Sequence, residues 1–381
     1  MLPKSTVSGN ILGSMIKSIS VWRHFDLWLT AAVLLLTGYG ILAISSAITG
    51  APAFEDFPQR QLAYAVAGFI LMLALASIDY RYLTSAHWYI YLILLGALIL
   101  VAVTGQINNE ARRWINLGFI QIQPSELGRI FLAVTFAQFL VQREHLIGRF
   151  SNTLLALGYV GVPVLLIFIQ PDLGMSVLFI VIWFTMIWVA GLPLRHFVAL
   201  SVMGLAGAVA IFPFLRDYQK ERFTAFLDPA AVPDQAFNIE QALISIGSGG
   251  WLGKGYLNGT QSQLGFLRVQ HTDFIFSVIV EEMGLIFGAL VVLGLMSFIL
   301  IRILRVANLT PDPAGRYICV GIASFLFFQT VVSVGMNVQL LPVTGLTLPF
   351  VSYGGSALVT LFMGIGIVQS VLMRHRKQEF G

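Results

Sequence analysis

The residue best placed to do chemistry is Asp273, an acid at the mouth of a strongly apolar stretch. It lies in the run His-Thr-Asp-Phe-Ile-Phe at 271–276. Because ionisable groups are costly near a membrane interior, an acid in this position is a candidate for function. Its carboxylate could act as a general base on a lipid-linked substrate at the membrane surface. Asp is also common at helix starts, so capping of the next helix is the alternative.

Glu126 and Arg129 form a second candidate pair. They are three residues apart at the start of an apolar stretch, so a helix would place them on one face. Pro124 and Ser125 suit the first turn of that helix. The pair could face a polar cavity and hold an anionic substrate, or it could neutralise itself between helices. The residues alone leave both interpretations open.

Arg112, Arg113 and Trp114 lie in the segment just before that pair. Guanidinium groups bind phosphate in bidentate fashion, so adjacent arginines beside an aromatic residue suit phosphate capture. The alternative is an interfacial Trp with arginines that reach toward the head groups, and the three residues by themselves favour it.

Two further segments carry polar residues at membrane depth. The run Leu-Pro-Phe-Val-Ser-Tyr-Gly-Gly-Ser at 348–356 interrupts apolar sequence. Non-helical backbone is tolerated there when it lines a cavity, so Ser352, Gly354 and Gly355 are candidates for a cavity wall. Asp172 falls in a short turn between apolar stretches, where helix capping is the better interpretation.

The elements that must position these residues follow from composition. The chain has 381 residues, of which 57% are hydrophobic and 10% charged, against about a quarter charged in soluble domains. This excludes a soluble enzyme, a disordered chain and a nucleic-acid binder. We predict an all-α polytopic membrane protein with ten transmembrane helices, of which the fourth and sixth are the weakest. The apolar stretches lie at 27–49, 61–78, 87–104, 127–142, 153–170, 173–190, 196–215, 274–301, 317–336 and 353–373.

The distribution of Lys and Arg sets the expected orientation. Most of them fall in segments that are inside when the amino terminus is cytoplasmic, so both termini are predicted to face the cytoplasm. The prediction divides the chain into a cytoplasmic segment 1–26, a membrane domain 27–373 and a cytoplasmic tail 374–381. Within the domain, 216–272 is a long extracytoplasmic loop before helix eight, and 237–246 has the spacing of an interfacial helix.

Four segments taken together resemble one family, the SEDS proteins (shape, elongation, division and sporulation) of bacteria. The resemblance covers about 27–373, and residues 258–264 are similar to the elongation members of the family. The segments are Ala-Arg-Arg-Trp-Ile (111–115) with Gln-Pro-Ser-Glu (123–126), Gln-Pro-Asp-Leu-Gly (170–174), His-Thr-Asp-Phe-Ile-Phe (271–276) with Glu-Glu-Met-Gly (281–284), and the run at 348–356.

The resemblance implies a peptidoglycan glycosyltransferase that polymerises lipid II at the outer face of the bacterial cytoplasmic membrane during elongation. It implies a class B penicillin-binding protein (a transpeptidase) as partner, and Mg or Mn as a supporting divalent cation. Asp273 would be the essential carboxylate, while Trp114, Glu126 and nearby basic residues would line an outward cavity. Arg129 stands where the family usually has Lys, and 267–270 also departs from the family pattern.

These candidate residues are consistent with the chemistry of glycosyl transfer from a lipid diphosphate. A single base suffices to activate the acceptor hydroxyl, because the diphosphate leaves as an anion, and Arg112, Arg113, Arg129 or a metal would stabilise it. Three alternatives remain: a lipid II flippase, the division or sporulation paralogue, and an inactive scaffold in which Asp273 is only a cap.

Overall fold

The computed structural model describes residues 22–49, 54–108, 111–116, 121–267 and 269–375. Its first part is helical, and apolar residues fill each long helix. The helices are α1 (Leu27–Ala47), α2 (Phe57–Ser77), the short α3 (Tyr80–Ser85) and α4 (His87–Thr104).

A small antiparallel sheet follows, where the sequence predicted only a loop. Its strands are β1 (Gln106–Asn108), β2 (Ala111–Asn116) and β3 (Gln121–Ile122), with β2 in the centre. Trp114 lies opposite Gln106, and Ile115 opposite Ile122. Strands this short have too few residues for an alternating pattern to stand out.

The remaining chain is helical and contains no further strand within the described residues. The helices are α5 (Pro124–Val141), α6 (Phe150–Ile169), α7 (Leu173–Val189), α8 (Leu194–Ile211), α9 (Asp217–Leu227), α10 (Pro233–Gly249), α11 (Thr260–Gln263), α12 (Ile275–Gly284), a π-helical turn (Leu285–Leu290), α13 (Val291–Leu309), α14 (Pro313–Asn337) and α15 (Gly355–Arg374). Three 3-10 turns, Glu144–Leu146, Phe212–Phe214 and Pro229–Ala231, connect some of them.

The all-helical, membrane-spanning class is confirmed. Among the described residues, eight helices are long and apolar enough to cross a membrane. The predicted fourth and sixth spans are the two outside this set. The fourth is α5, which carries Glu126 and Arg129 and lies mostly buried among other helices. The sixth is α7, which has 17 residues and so is about 26 Å long. The count of ten stays a prediction.

The long loop is folded onto the membrane domain instead of standing clear of it. Helix α10 packs against α12 and buries Ile239 and Ala242. The backbone at Lys254 and Gly255 donates to the carbonyls of Glu281 and Glu282, at 3.0 and 2.9 Å. Close approach needs glycine here, since a Cβ on Gly253 would lie 2.1 Å from the Glu282 carbonyl oxygen.

Gly284 and Gly288 have the spacing of a helix-packing motif, but Gly284 serves the loop. It adopts a positive φ of 72° at the end of α12, and the next two amides donate to Gly250 and Trp251. A close helix contact is made elsewhere, between α2 and α15. There a Cβ on Gly366 would lie 2.6 Å from the Met72 carbonyl oxygen.

Candidate functional site

A polar cavity of 530 Å³ lies where several helices begin. Helices α2, α5, α7, α12 and α15 all start beside it. The amino-terminal end of a helix carries partial positive charge and free amide groups, so this convergence favours an anionic ligand. The charged residues in its wall are Arg60, Arg113, Glu126, Asp172 and Asp273.

Asp273 lies in the cavity wall just before α12, and its carboxylate does not cap that helix. Helix α12 begins after Phe274, with no capping bond from that residue's side chain. The amide of Ser277 is capped instead by Asn337, whose Oδ1 accepts it at 3.1 Å. The capping alternative for Asp273 therefore has no support in the geometry.

The backbone around Asp273 is held at three successive carbonyls. The amide of Tyr353 donates to His271 at 2.9 Å, and the Ser352 hydroxyl donates to Thr272 at 2.7 Å. The Nδ2 of Asn337 donates to the Asp273 carbonyl at 2.9 Å. On the other side, Val269 has a positive φ of 54° and closes the turn. The carboxylate is thus presented by a braced segment.

Burial raises the pKa of Asp273 above the ordinary range of an aspartate. Two groups oppose this shift by favouring the anion: the Arg222 guanidinium and then the Thr272 hydroxyl. A carboxylate with a raised pKa is a stronger base than an exposed one, which suits proton abstraction near neutral pH.

Glu126 lines the cavity, whereas Arg129 lies behind the wall. Arg129 is fully buried, with Nη2 2.6 Å from Glu126 Oε2. It also donates to Gln329 Oε1 at 2.7 Å and to the Ala357 carbonyl at 3.3 Å. The structure therefore does not place Arg129 in the cavity wall, and substrate contact by this residue stays a prediction. Its fork of donors joins α5, α14 and α15.

Arg113 and Trp114 both lie in the wall. Arg113 donates to the carbonyls of Gln170 and Pro171, and to the Tyr218 hydroxyl at 2.7 Å. It therefore braces the turn before α7 as well as facing the cavity. The side chain of Arg112 lies outside the described residues.

Asp172 combines the role that the sequence predicted with one that it did not. One oxygen caps α7 by accepting from the Met175 amide at 3.2 Å. The other accepts from Gln123 Nε2 at 3.0 Å and lies 4.0 Å from Arg113 Nε. Burial raises the pKa of Asp172, while Arg113 and Arg222 are among the groups that lower it. The carboxyl group also lines the cavity, which no spacing rule signals.

Some residues of the 348–356 segment line the cavity, and others hold the loop behind it. Gly354 and Gly355 lie in the wall, as expected, and a Cβ on Gly355 would lie 2.6 Å from the Tyr64 ring. Ser352 is buried behind it, where its hydroxyl also accepts from the Leu348 amide at 2.9 Å. The structure does not place Ser352 in the cavity wall, where the sequence predicted it, because its hydroxyl holds the loop.

The aromatic rim of the cavity was missed from sequence. The rings of Phe57 and Tyr353 stack at 4.0 Å, and His271 meets Phe57 edge-on at 5.2 Å. Arg60 lies beside them in the cavity wall, and its Nη2 is 3.4 Å from Oδ2 of the exposed Asp56. Aromatic and basic residues at helix ends are typical of any membrane–water interface, so the sequence pattern did not distinguish them.

The residues do not form a ready-made metal centre. No group of three or more His, Cys, Asp or Glu residues with suitable spacing occurs in the part of the chain that the structure describes. Mg²⁺ commonly binds through one or two carboxylates together with substrate phosphates. The expected divalent cation would therefore depend on a phosphate-bearing ligand for its remaining contacts.

Comparisons with known proteins place these features in one family. The profile of the FtsW/RodA/SpoVE cell cycle proteins matches residues 26–377. The peptidoglycan glycosyltransferase MrdB of Escherichia coli (strain K12) is 38% identical over 359 residues, which are 93% of this chain and 95% of MrdB.

Two solved structures share the fold. One, of a peptidoglycan synthase complex that coordinates polymerization and crosslinking, matches at 32% identity with a TM-score of 0.80 and covers 94% of this chain and 99% of its own. The crystal structure of RodA from Thermus thermophilus matches at 30% identity with a TM-score of 0.71, over 93% and 99%.

The fold and the cavity define a polytopic, all-helical membrane protein with carboxylates and guanidinium groups gathered where its helices begin. Within that class, the chain belongs to the SEDS family of FtsW/RodA/SpoVE proteins. The resemblance seen in the four sequence segments is confirmed.

Proposed function

We propose that this protein is a peptidoglycan glycosyltransferase that polymerises lipid II at the outer face of the cytoplasmic membrane during elongation. The observation that carries the proposal is the Asp273 carboxylate, which caps no helix and lies in the wall of a cavity surrounded by helix amino termini. Its similarity to MrdB, which is named for this activity, supports the same conclusion.

The proposed reaction needs one base and one anion-binding region. The Asp273 carboxylate takes the proton from the acceptor's 4-hydroxyl, and the oxygen attacks C1 of the donor sugar. The bond from C1 to the diphosphate oxygen breaks, and the lipid diphosphate leaves as an anion. Because that leaving group needs no proton, a second catalytic acid is unnecessary, unlike in glycosidases.

The groups that we propose for the diphosphate overlap only in part with those that the sequence suggested. Arg129 is buried behind the wall and pairs with Glu126, Gln329 and the Ala357 carbonyl, so it is not among them. Arg60 and Arg113 face the cavity, and the free amides at the starts of α2, α5 and α15 add positive potential. A divalent cation shared with the diphosphate would supplement them.

A class B penicillin-binding protein is the proposed partner, because a structural neighbour belongs to a complex that couples polymerization to crosslinking. The proposed orientation puts both termini in the cytoplasm and the cavity outside. The cluster at the opposite helix ends, including Asp26 with Arg302 at 2.5 Å, would then face the cytoplasm.

The test is polymerisation of labelled lipid II by the purified protein, with and without a cognate class B penicillin-binding protein, in Mg²⁺ or Mn²⁺. A glycan ladder that disappears in Asp273→Ala, while the variant melts no lower than the native protein, is the expected result. Polymer made at the native rate by Asp273→Ala would exclude the proposed base. Lipid II translocation in vesicles without any polymer would instead identify a flippase.

A further inference from the structure

Arg222, a residue that the sequence did not single out, lies directly behind the cavity wall. It is carried by α9, in the long loop, and its Nη1 donates to the Val343 carbonyl at 3.4 Å. The same atom lies 3.5 Å from the position that a Cβ on Gly345 would take. Because Gly345 belongs to the wall, this guanidinium lies close behind the cavity.

A small void connects Arg222 with Asp172. It measures 20 Å³, and its lining includes Arg113, Asp172, Arg222 and Thr344. The Thr344 hydroxyl is buried and has no protein partner. A void must offer about 10–15 Å³ to hold a water molecule, so one water fits here between the hydroxyl and the charged groups.

Helix α9 is fixed in place through one carbonyl. The Pro171 carbonyl accepts from the Tyr218 hydroxyl at 2.5 Å and from Gln219 Nε2 at 3.2 Å, as well as from Arg113. Arg222 lies one helical turn after Tyr218, with its guanidinium 5.8 Å from that ring centroid. The contact that anchors α9 therefore also fixes the position of Arg222 relative to Asp172.

From this arrangement we propose that Arg222 is a positioning residue: helix α9 places its guanidinium behind the cavity wall, beside the void that it shares with Asp172, where its charge favours the anionic forms of Asp172 and Asp273. The long loop thereby influences the ionisation of Asp273 without contacting the substrate. The proposal rests on the proposed function, because it concerns the base of that reaction.

Arg222 acts on Asp172 together with Arg113, which lies 4.0 Å from that carboxylate, whereas Arg60 lies at the rim beside Asp56. The other ionisable side chains in the wall are Tyr64, Glu126, His271 and Tyr353. Burial lowers the pKa of His271, which keeps that ring uncharged. Arg222 is the charged group that lowers the pKa of Asp273 against its burial.

The sign of the expected effect follows from the role of the base. Activity requires ionised Asp273, so the rate falls when the pH drops through the pKa of this residue. Loss of the Arg222 charge raises that pKa, and the acid limb of the kcat/KM profile moves to higher pH. We expect a displacement of about one unit, at the lower end of the range of about 1–3 units that a nearby opposite charge commonly produces.

The experiment compares pH profiles of lipid II polymerisation for the native protein, Arg222→Gln and Arg222→Lys. Arg222→Gln should move the acid limb upward and regain most of its activity at high pH, whereas Arg222→Lys should stay near the native profile. Lys220→Gln is the matched control. It removes the same charge from the same helix about 200° away, at a residue that lines neither the cavity nor the void.

An Arg222→Gln profile that keeps the native acid limb, or that falls equally at every pH, would overturn the proposal. Should this variant not fold, Arg222→Met repeats the test, and failure of both to fold would give Arg222 a structural role only. A native protein that makes no polymer at any pH would refute the proposed function itself, which separates the two failures.

Discussion

Asn337 on α14 and Ser277 on α12 join these two helices next to Asp273, the candidate base. The Asn337 Oδ1 accepts from the Ser277 hydroxyl at 2.6 Å and from the Ser277 amide at 3.1 Å. Its Nδ2 also donates to the Asp273 carbonyl. One buried amide side chain therefore caps α12 and fixes the backbone of Asp273, so the aspartate's own carboxylate is not needed as a cap.

Asn337→Ala should lower both stability and activity. Groups that lose their partner in a buried site cost about 1–3 kcal/mol, and here the Ser277 hydroxyl and the Asp273 carbonyl both do so. Thermal unfolding in detergent and polymerisation rate measure the two effects. Asn337→Asp should also destabilise the protein, because its carboxylate would be buried against the Asp273 and Ser333 carbonyls. An unchanged melting temperature in Asn337→Ala would contradict the capping role.

Asp273→Asn should abolish polymerisation and raise the melting temperature at neutral pH. Since burial raises the pKa of Asp273, the folded state disfavours its ionised form. Stability due to this group falls as pH rises from the unfolded to the folded pKa. The stability gain of the variant should therefore disappear below about pH 4, near the ordinary aspartate pKa. A destabilised variant at pH 7 would instead support the capping interpretation.

Arg129→Met should destabilise the protein strongly, because it leaves Glu126 buried without its partner. Breaking a buried pair in this way costs about 3–5 kcal/mol. Arg129→Lys keeps the charge but reaches fewer acceptors, so a smaller loss is expected. Arg60→Met is the control at an exposed pair, where little stability should be lost. Equal melting temperatures for Arg129→Met and Arg60→Met would show that the pair is not structural.

Ser352→Ala should slow polymerisation without removing any cavity-facing group. The hydroxyl bridges the Leu348 amide and the Thr272 carbonyl, and its loss frees the segment that presents Asp273. Ser352→Thr should restore part of the rate. We expect a lower kcat with little change in KM, since the substrate contacts remain. A raised KM with native kcat would instead indicate direct substrate contact.

Glu281→Gln should loosen the long loop. The Glu281 carboxylate accepts from the amides of Gln261 and Ser262 at 2.8 and 3.2 Å, and from Lys254 Nζ at 3.1 Å. Hydrogen exchange across 254–263 should speed up in this variant. Glu240→Gln, at an exposed position on α10, should leave that exchange unchanged. Equal protection from hydrogen exchange in the two variants would show that the Glu281 carboxylate does not hold the loop in place.

Much of the fold could be predicted from the sequence alone. A bilayer imposes long apolar helices, so composition and hydropathy were enough to predict the class and the approximate position of each long apolar helix. The family motifs and Asp273 at the mouth of an apolar stretch were equally visible. The small sheet was not, because its strands are only a few residues long.

Tertiary structure decided which side chains line the cavity and which lie behind it. Spacing placed Glu126 and Arg129 on one helix face, but only the packing of α14 and α15 showed that one lines the cavity and the other lies behind it. The positions of Asp172, Ser352 and Arg222 likewise depend on contacts between segments far apart in the chain. A local pattern fixes which residues share a face, whereas the neighbour that this face meets is set by how the whole bundle packs.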